Sequence, residues 1–305
     1  MSFLALYHSG ELVRRIKAGY ARLACCDLCP HACGVNRLAG ETGLCGGGRS
    51  PRIASASVHR GEEPPISGSR GSGTIFLSGC TLNCRFCQNF PISQLRNGSD
   101  LSTGLLADKM LGLQKKGAHN INFVTPSHFT PQILAALYLA IRKGFHLPIV
   151  WNTSGYERLD TLQLLDGIVD IYLPDMKYAS NDQAELLSAA PGYPELNRAA
   201  VGEMLRQVGQ LECDVDGIAT RGVIVRHLVL PEGRAGSSET LAYIADRFGE
   251  ETHIALMSQY FPAHLASETP GIGRRVTAEE YGEAVEALEE CGLENGWVQD
   301  EPGEN

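Results

Sequence analysis

The sequence predicts an α/β protein built as a partial, open (β/α)6 TIM-like barrel, with a small cysteine-rich segment at its amino terminus. Three observations carry that prediction. Short apolar runs recur six times from Thr74 onward, helix-periodic stretches lie between them, and the first 50 residues are instead rich in cysteine and glycine. Strand–helix alternation argues for βαβ units and a parallel sheet. A doubly wound sheet satisfies the same pattern, and in both architectures a ligand site lies at the carboxyl ends of the strands.

The elements follow in order. Residues 1–50 carry one short amphipathic helix, near Glu11–Tyr20, and then the first thiols. Residues 51–73, with HRGEEPPISGSRGSG, read as a connector because Pro, Gly and Ser punctuate them. The barrel is expected over 74–262. Its strands are TIFLSG (74–79), NINFVT (120–125), LPIVWNT (147–153), GIVDIYLP (167–174), GVIVRHLVL (222–230) and THIALMS (252–258). They are short, β-branched and mostly without alternation, as strands buried on both faces are.

Between them, Leu105, Leu106, Met110 and Leu113 share one helical face, and Ile133, Leu134, Leu137 and Ile141 the next. Leu196, Ala200, Met204 and Val208 form a third, and Leu241, Ile244, Ala245 and Phe248 a fourth. Residues 263–305 hold a last helix, with Tyr281, Val285 and Leu288, and an acidic tail from Asp300 to Asn305.

A hydrophobic share of 43% over 305 residues supports one large domain or two ordinary ones. No apolar run approaches the roughly 18 residues of a membrane span. The opening MSFLALYHSGELVRR has no basic n-region and no small-residue cleavage site, so no signal peptide is read. A cytoplasmic location is expected, where ten cysteines stay reduced and clusters of them signal metal or redox chemistry. A net charge of −9 disfavours nucleic acid as a partner.

Two thiol sets stand out. SGCTLNCRFCQNF places Cys80, Cys84 and Cys87 in one loop directly after the first expected strand. Three thiolates ligate three irons of a [4Fe–4S] cubane and leave the fourth open to a non-protein ligand. The competing reading is a zinc site completed by Cys213 or Cys291. Upstream, Cys26, Cys29, Cys33 and Cys45 supply four thiols, with Cys25 to spare. Four close the shell of a second iron–sulfur cluster or of a zinc ion. His31, between Cys29 and Cys33, is read as a neighbour of that site and not as a ligand.

The C-x3-C-x2-C loop with Phe86 before its last thiol resembles the radical S-adenosylmethionine (SAM) superfamily. CDLCPHACGVNRLAGETGLCG, GEEPPISGSRGSGTIFLSGCTLNCRFCQN, NINFVTPSHFTPQI and the VWNTSGYE and DIYLPDMKY stretches resemble a subgroup related to pyruvate formate-lyase activating enzymes. The resemblance implies a [4Fe–4S] cluster whose open iron takes SAM. It further implies reductive cleavage of SAM to a 5′-deoxyadenosyl radical that abstracts hydrogen, and an electron donor such as flavodoxin or ferredoxin. An activase would also need a separate glycyl-radical protein as substrate. The alternatives are radical modification of a small molecule or peptide, and a non-catalytic electron-transfer protein.

Carried over residue by residue, the resemblance implies SAM contacts at Asn152, Asp175, Lys177 and Arg226. Asp175 and Lys177 stand two apart and so point the same way, as a zwitterionic amino acid requires. Thr125-Pro126-Ser127-His128 occupies the place of the relatives' Gly-Gly-Glu turn. His227, Gln259 and Tyr260 are further candidates for the same ligand.

Overall fold

The computed structural model describes residues 3–300. All six expected strands form: β2 (Ser72–Leu77), β4 (Ile121–Val124), β5 (Ile149–Thr153), β6 (Ile171–Pro174), β8 (Ala219–Leu228) and β9 (His253–Met257). They run parallel in that order across the sheet. A seventh parallel strand, β10 (Gly296–Val298), joins β9. On the other side β1 (Arg52–His59) pairs antiparallel with β2, and β3 (Ser99–Asp100) with β1. β7 (Glu212–Cys213) forms a hairpin with β8. The strand order runs from β10 to β3 without closing on itself, so this is an open barrel.

Side chains sort by alternation along each strand. Ile121, Phe123, Trp151, Tyr172, Val223, Val225, Ile254 and Leu256 join the large core between sheet and helices. Val150, Ile171, Leu173, Ile224 and Ala255 form a second cluster inside the barrel. By the same alternation Asn122, Asn152, Asp175 and Arg226 face inward. The lumen therefore has an apolar floor and polar groups near the carboxyl ends.

Several expectations need correction. Residues 51–73 are more than a connector: they supply β1 and a helical turn, Pro64–Ser67, whose Ile66 plugs the lumen floor. GIVDIYLP begins as a strand only at Ile171, because Gly167 takes a left-handed φ of 73° and Asp170 turns back to accept the Ile149 amide at 2.9 Å. Of the four residues placed on one helical face, Leu106, Met110 and Leu113 bury, while Leu105 is 52% exposed. The carboxyl-terminal stretch holds β10 as well as its helix, Ala278–Glu290; tail residues 301–305 lie outside the described residues. No described helix is long and apolar enough to cross a membrane.

The amino-terminal helix Glu11–Ala21 packs on the helix Thr130–Ile141, where Gly19 meets Pro131 closely. This contact anchors the cysteine-rich segment against the barrel.

Candidate iron–sulfur and SAM site

The thiol loop is clamped from both sides. The Asn83 and Arg85 amides donate to the Ser188 and Leu187 carbonyls at 2.9 and 2.8 Å. The Arg85 carbonyl accepts from Leu265 at 2.8 Å, and its guanidinium reaches Thr269 Oγ1 at 2.7 Å. Phe86 is buried and packs on Tyr260, ring centroids 5.7 Å apart. Each thiol also has a polar neighbour. The Leu82 amide donates to Cys80 Sγ at 3.3 Å, the Ser188 hydroxyl to Cys84 Sγ at 3.0 Å, and Ser93 Oγ lies 3.1 Å from Cys87 Sγ.

Across from the loop stand the inward polar groups. Lys177 Nζ lies 2.6 Å from Asp175 Oδ2. Arg226 reaches Asp175 Oδ1 at 2.7 Å and donates to Asn152 Oδ1 at 2.8 Å. A cavity of about 220 Å3 separates the two sides, lined by Cys84, Cys87, Asp175, Lys177 and Arg226 among others.

The electrostatics suit a cationic centre held by thiolates. Burial pushes the Cys84 thiol up to about 11, with Lys177 opposing it. Burial, reinforced by Cys84, raises Cys80 further. Without positive charge from a metal these sulfurs stay protonated, whereas a bound metal deprotonates its thiols. Burial works most strongly against the Asp175 charge, but Arg226 and Lys177 together outweigh it and hold the carboxyl below its usual range. Burial likewise opposes the Lys177 charge most, and Asp175 and Cys84 outweigh it.

The second set gathers as well. Burial pushes Cys29 up to about 12, followed by repulsion from Cys45 and Cys26. Burial raises Cys45, with Cys26 and Cys33 adding repulsion. The segment docks directly on the first thiol loop. His31 Nε2 donates to the Thr81 carbonyl at 2.8 Å, and Arg37 donates to the His128 carbonyl at 2.7 Å. His128 Nε2 in turn donates to Ser78 at 2.9 Å. At Gly79, with a φ of 84°, any Cβ would collide with the Cys45 carbonyl.

Among the described residues, no group of three or more His, Cys, Asp or Glu side chains is drawn together as one metal ion would hold it. Both donor sets are soft thiols, which suit an iron–sulfur cluster or a zinc ion.

Other candidates settle elsewhere. His227 points away from the lumen, between the Met176 carbonyl at 2.6 Å and Ser237 Oγ at 2.9 Å, and burial lowers it to about 4. Tyr260 donates to the Ile272 carbonyl at 2.6 Å. Gln259 borders the thiol-loop cavity. Thr125 holds a left-handed φ of 55°, unusual for a β-branched residue, at the end of β4. Cys213 is exposed on β7 and Cys291 caps the last helix; neither borders that cavity. Sequence reasoning missed Ser188, Ser93 and Arg37, which only the fold brings to the thiols.

A family model described as a 4Fe-4S single cluster domain matches residues 67–189. The chain is 30% identical over 275 residues to the uncharacterized protein MJ0674 of Methanocaldococcus jannaschii, covering 88% of this chain and 75% of that one. Among solved structures, the FeFe-hydrogenase maturase HydG from Carboxydothermus hydrogenoformans shares the fold, with a TM-score of 0.53 at 14% identity. That match covers 76% of this chain and 54% of HydG, so the chain spans about half the maturase. Native anSMEcpe with bound AdoMet matches with a TM-score of 0.49 at 10% identity, over 70% of this chain and 57% of that one. The chain belongs to the family of MJ0674.

Proposed function

We propose that this protein is a radical SAM enzyme in which Cys80, Cys84 and Cys87 hold a site-differentiated [4Fe–4S] cluster. The observation that carries the reading is the cavity between that loop and the Asp175–Lys177 pair. When bound and reduced, the cluster supplies the electron that cleaves SAM to methionine and a 5′-deoxyadenosyl radical.

The chain's own residues bind and orient. Lys177 offers its ammonium to the SAM carboxylate, and Asp175 accepts from the SAM amino group. Arg226 holds Asp175 and Asn152 in place for this. Phe86 and Tyr260 keep water from the cluster side. Hydrogen bonds to the sulfurs from Ser188 and the Leu82 amide tune the potential of such a cluster.

Cys26, Cys29, Cys33 and Cys45 hold a second centre in this reading. An iron–sulfur cluster is preferred over zinc because docking on the first thiol loop suits electron supply. A flavodoxin or ferredoxin is the outside donor. Glycyl-radical activation of a separate protein is the finer reading that the sequence resemblance supports.

The test is anaerobic incubation of reduced, reconstituted protein with SAM. 5′-Deoxyadenosine should form in the native chain and not when Cys80, Cys84 and Cys87 are all Ala. Equal product from both would refute the proposal.

A further inference from the structure

The barrel's open side, between β1 and β10, leads into a second cavity of about 640 Å3, within the size range of small-molecule sites. His59 and Phe76 border it on one edge, Trp297 and Val298 on the other. Asn152, Arg226 and Met257 form its inner wall; Arg226, Met257, Asn89 and Gln259 also border the thiol-loop cavity, so the two adjoin.

Glu62 and Glu63 face this space. Their backbone is fixed. The Glu62 amide donates to Ser67 Oγ at 3.0 Å, and the Ile66 and Ser67 amides donate to the Glu63 carbonyl at 2.9 and 3.0 Å. Ile66 in turn is sunk in the lumen floor.

The charges do not balance. Asp175 engages both cations closely, Lys177 at 2.6 Å and Arg226 at 2.7 Å. Glu63 Oε1 is left 3.6 Å from Arg226, and its buried Oε2 has no hydrogen-bond partner. Burial, and then Glu63, raises the pKa of Glu62. An independent observation comes from β4. Asn122 is fully buried and shares its strand face with Val124, which borders the cavity. Its amide nitrogen lies against the Glu62 carboxyl and favours the charged form, while its amide oxygen has no hydrogen-bond partner. Buried amide and carboxylate groups left unpaired cost free energy that a ligand with donors would recover.

We infer that this cavity is the subsite for a substrate bearing a cationic nitrogen, an alkylammonium or guanidinium, received by Glu62 and Glu63, with the buried Asn122 amide beside them. The inference rests on the radical SAM reading, since it places that nitrogen beside the site of SAM cleavage. The substrate enters through the open edge of the barrel.

The probes are butylguanidinium and butylurea, its neutral isostere, titrated calorimetrically into SAM-saturated, reconstituted full-length protein. Butylguanidinium should bind at least tenfold more tightly, and Glu62→Gln should bring the ratio near one while iron content and SAM binding persist. Equal binding of the two probes to the native protein overturns the inference without any variant. Loss of SAM binding in Glu62→Gln also overturns it, by placing that carboxylate at SAM. If the native protein discriminates as expected but forms no 5′-deoxyadenosine, the subsite stands and the radical reading falls. If it cleaves SAM but does not discriminate, the reverse holds.

Discussion

Replacing Lys177 by Met removes one charge and keeps most of the stem's volume. In the structure the ammonium donates only to Asp175, at 2.6 Å, and the two side chains are 17% and 10% exposed. Stranding a buried carboxylate costs about 3–5 kcal/mol. Asp175 is not stranded here, because Arg226 remains 2.7 Å away. The unliganded protein should therefore lose only about 1 kcal/mol of stability, the order of one hydrogen bond. The loss toward SAM is larger. A charged hydrogen bond to its carboxylate contributes about 1.5–3 kcal/mol, which is roughly a ten- to hundredfold rise in Kd. Equilibrium dialysis of labelled SAM against anaerobically reconstituted protein, with iron counted in the same samples, reads both. A Kd within threefold of the native value, at full iron content, would refute the role given to Lys177.

Gly79→Ala should push the Cys45 backbone off the first thiol loop, because no side chain fits against that carbonyl; the expected readout is reduced iron content and faster proteolysis of residues 20–50. Replacing Cys26, Cys29, Cys33 and Cys45 in pairs should loosen the same segment while the Cys80 loop still assembles its cluster, since metal binding there is folding energy. Glu157 is buried among Ser127 and Thr153 and pushed up to about 6 by burial. Its folded pKa lies above the unfolded value near 4.5, so the native state binds the extra proton and stability falls as pH rises through that window. Glu157→Gln should then raise Tm by a few degrees at pH 8 and change it little at pH 4; an equal effect at both would contradict the burial argument.

The six central strands were legible because a parallel strand buried on both faces must be an apolar run. β1 was not, since RIASASVH buries only Ile53, alternates half-buried and exposed residues after it, and is built from small ones in a glycine- and proline-rich setting. β10 is only three residues at an edge. The thiol loop and the Asp175–Lys177 pair were legible because their chemistry is written in local spacing. Arg226 could be proposed, but not its partners, which lie 51 and 74 residues away and meet only across the sheet. The same alternation that turns Arg226 inward turns His227 outward, a distinction the unbroken run GVIVRHLVL hides. Glu62 and Glu63 were passed over because they sit in a stretch that reads as a spacer.

In the proposed function the Cys80, Cys84 and Cys87 cluster has an open iron that takes SAM. Electron paramagnetic resonance of the reduced protein, with and without SAM, tests it most directly. The signal of the native protein should change shape when SAM is added, and the triple Ala variant should keep only a signal from the amino-terminal thiols that SAM does not alter. A native spectrum indifferent to saturating SAM, or a SAM-dependent change that survives in the triple variant, would contradict the account.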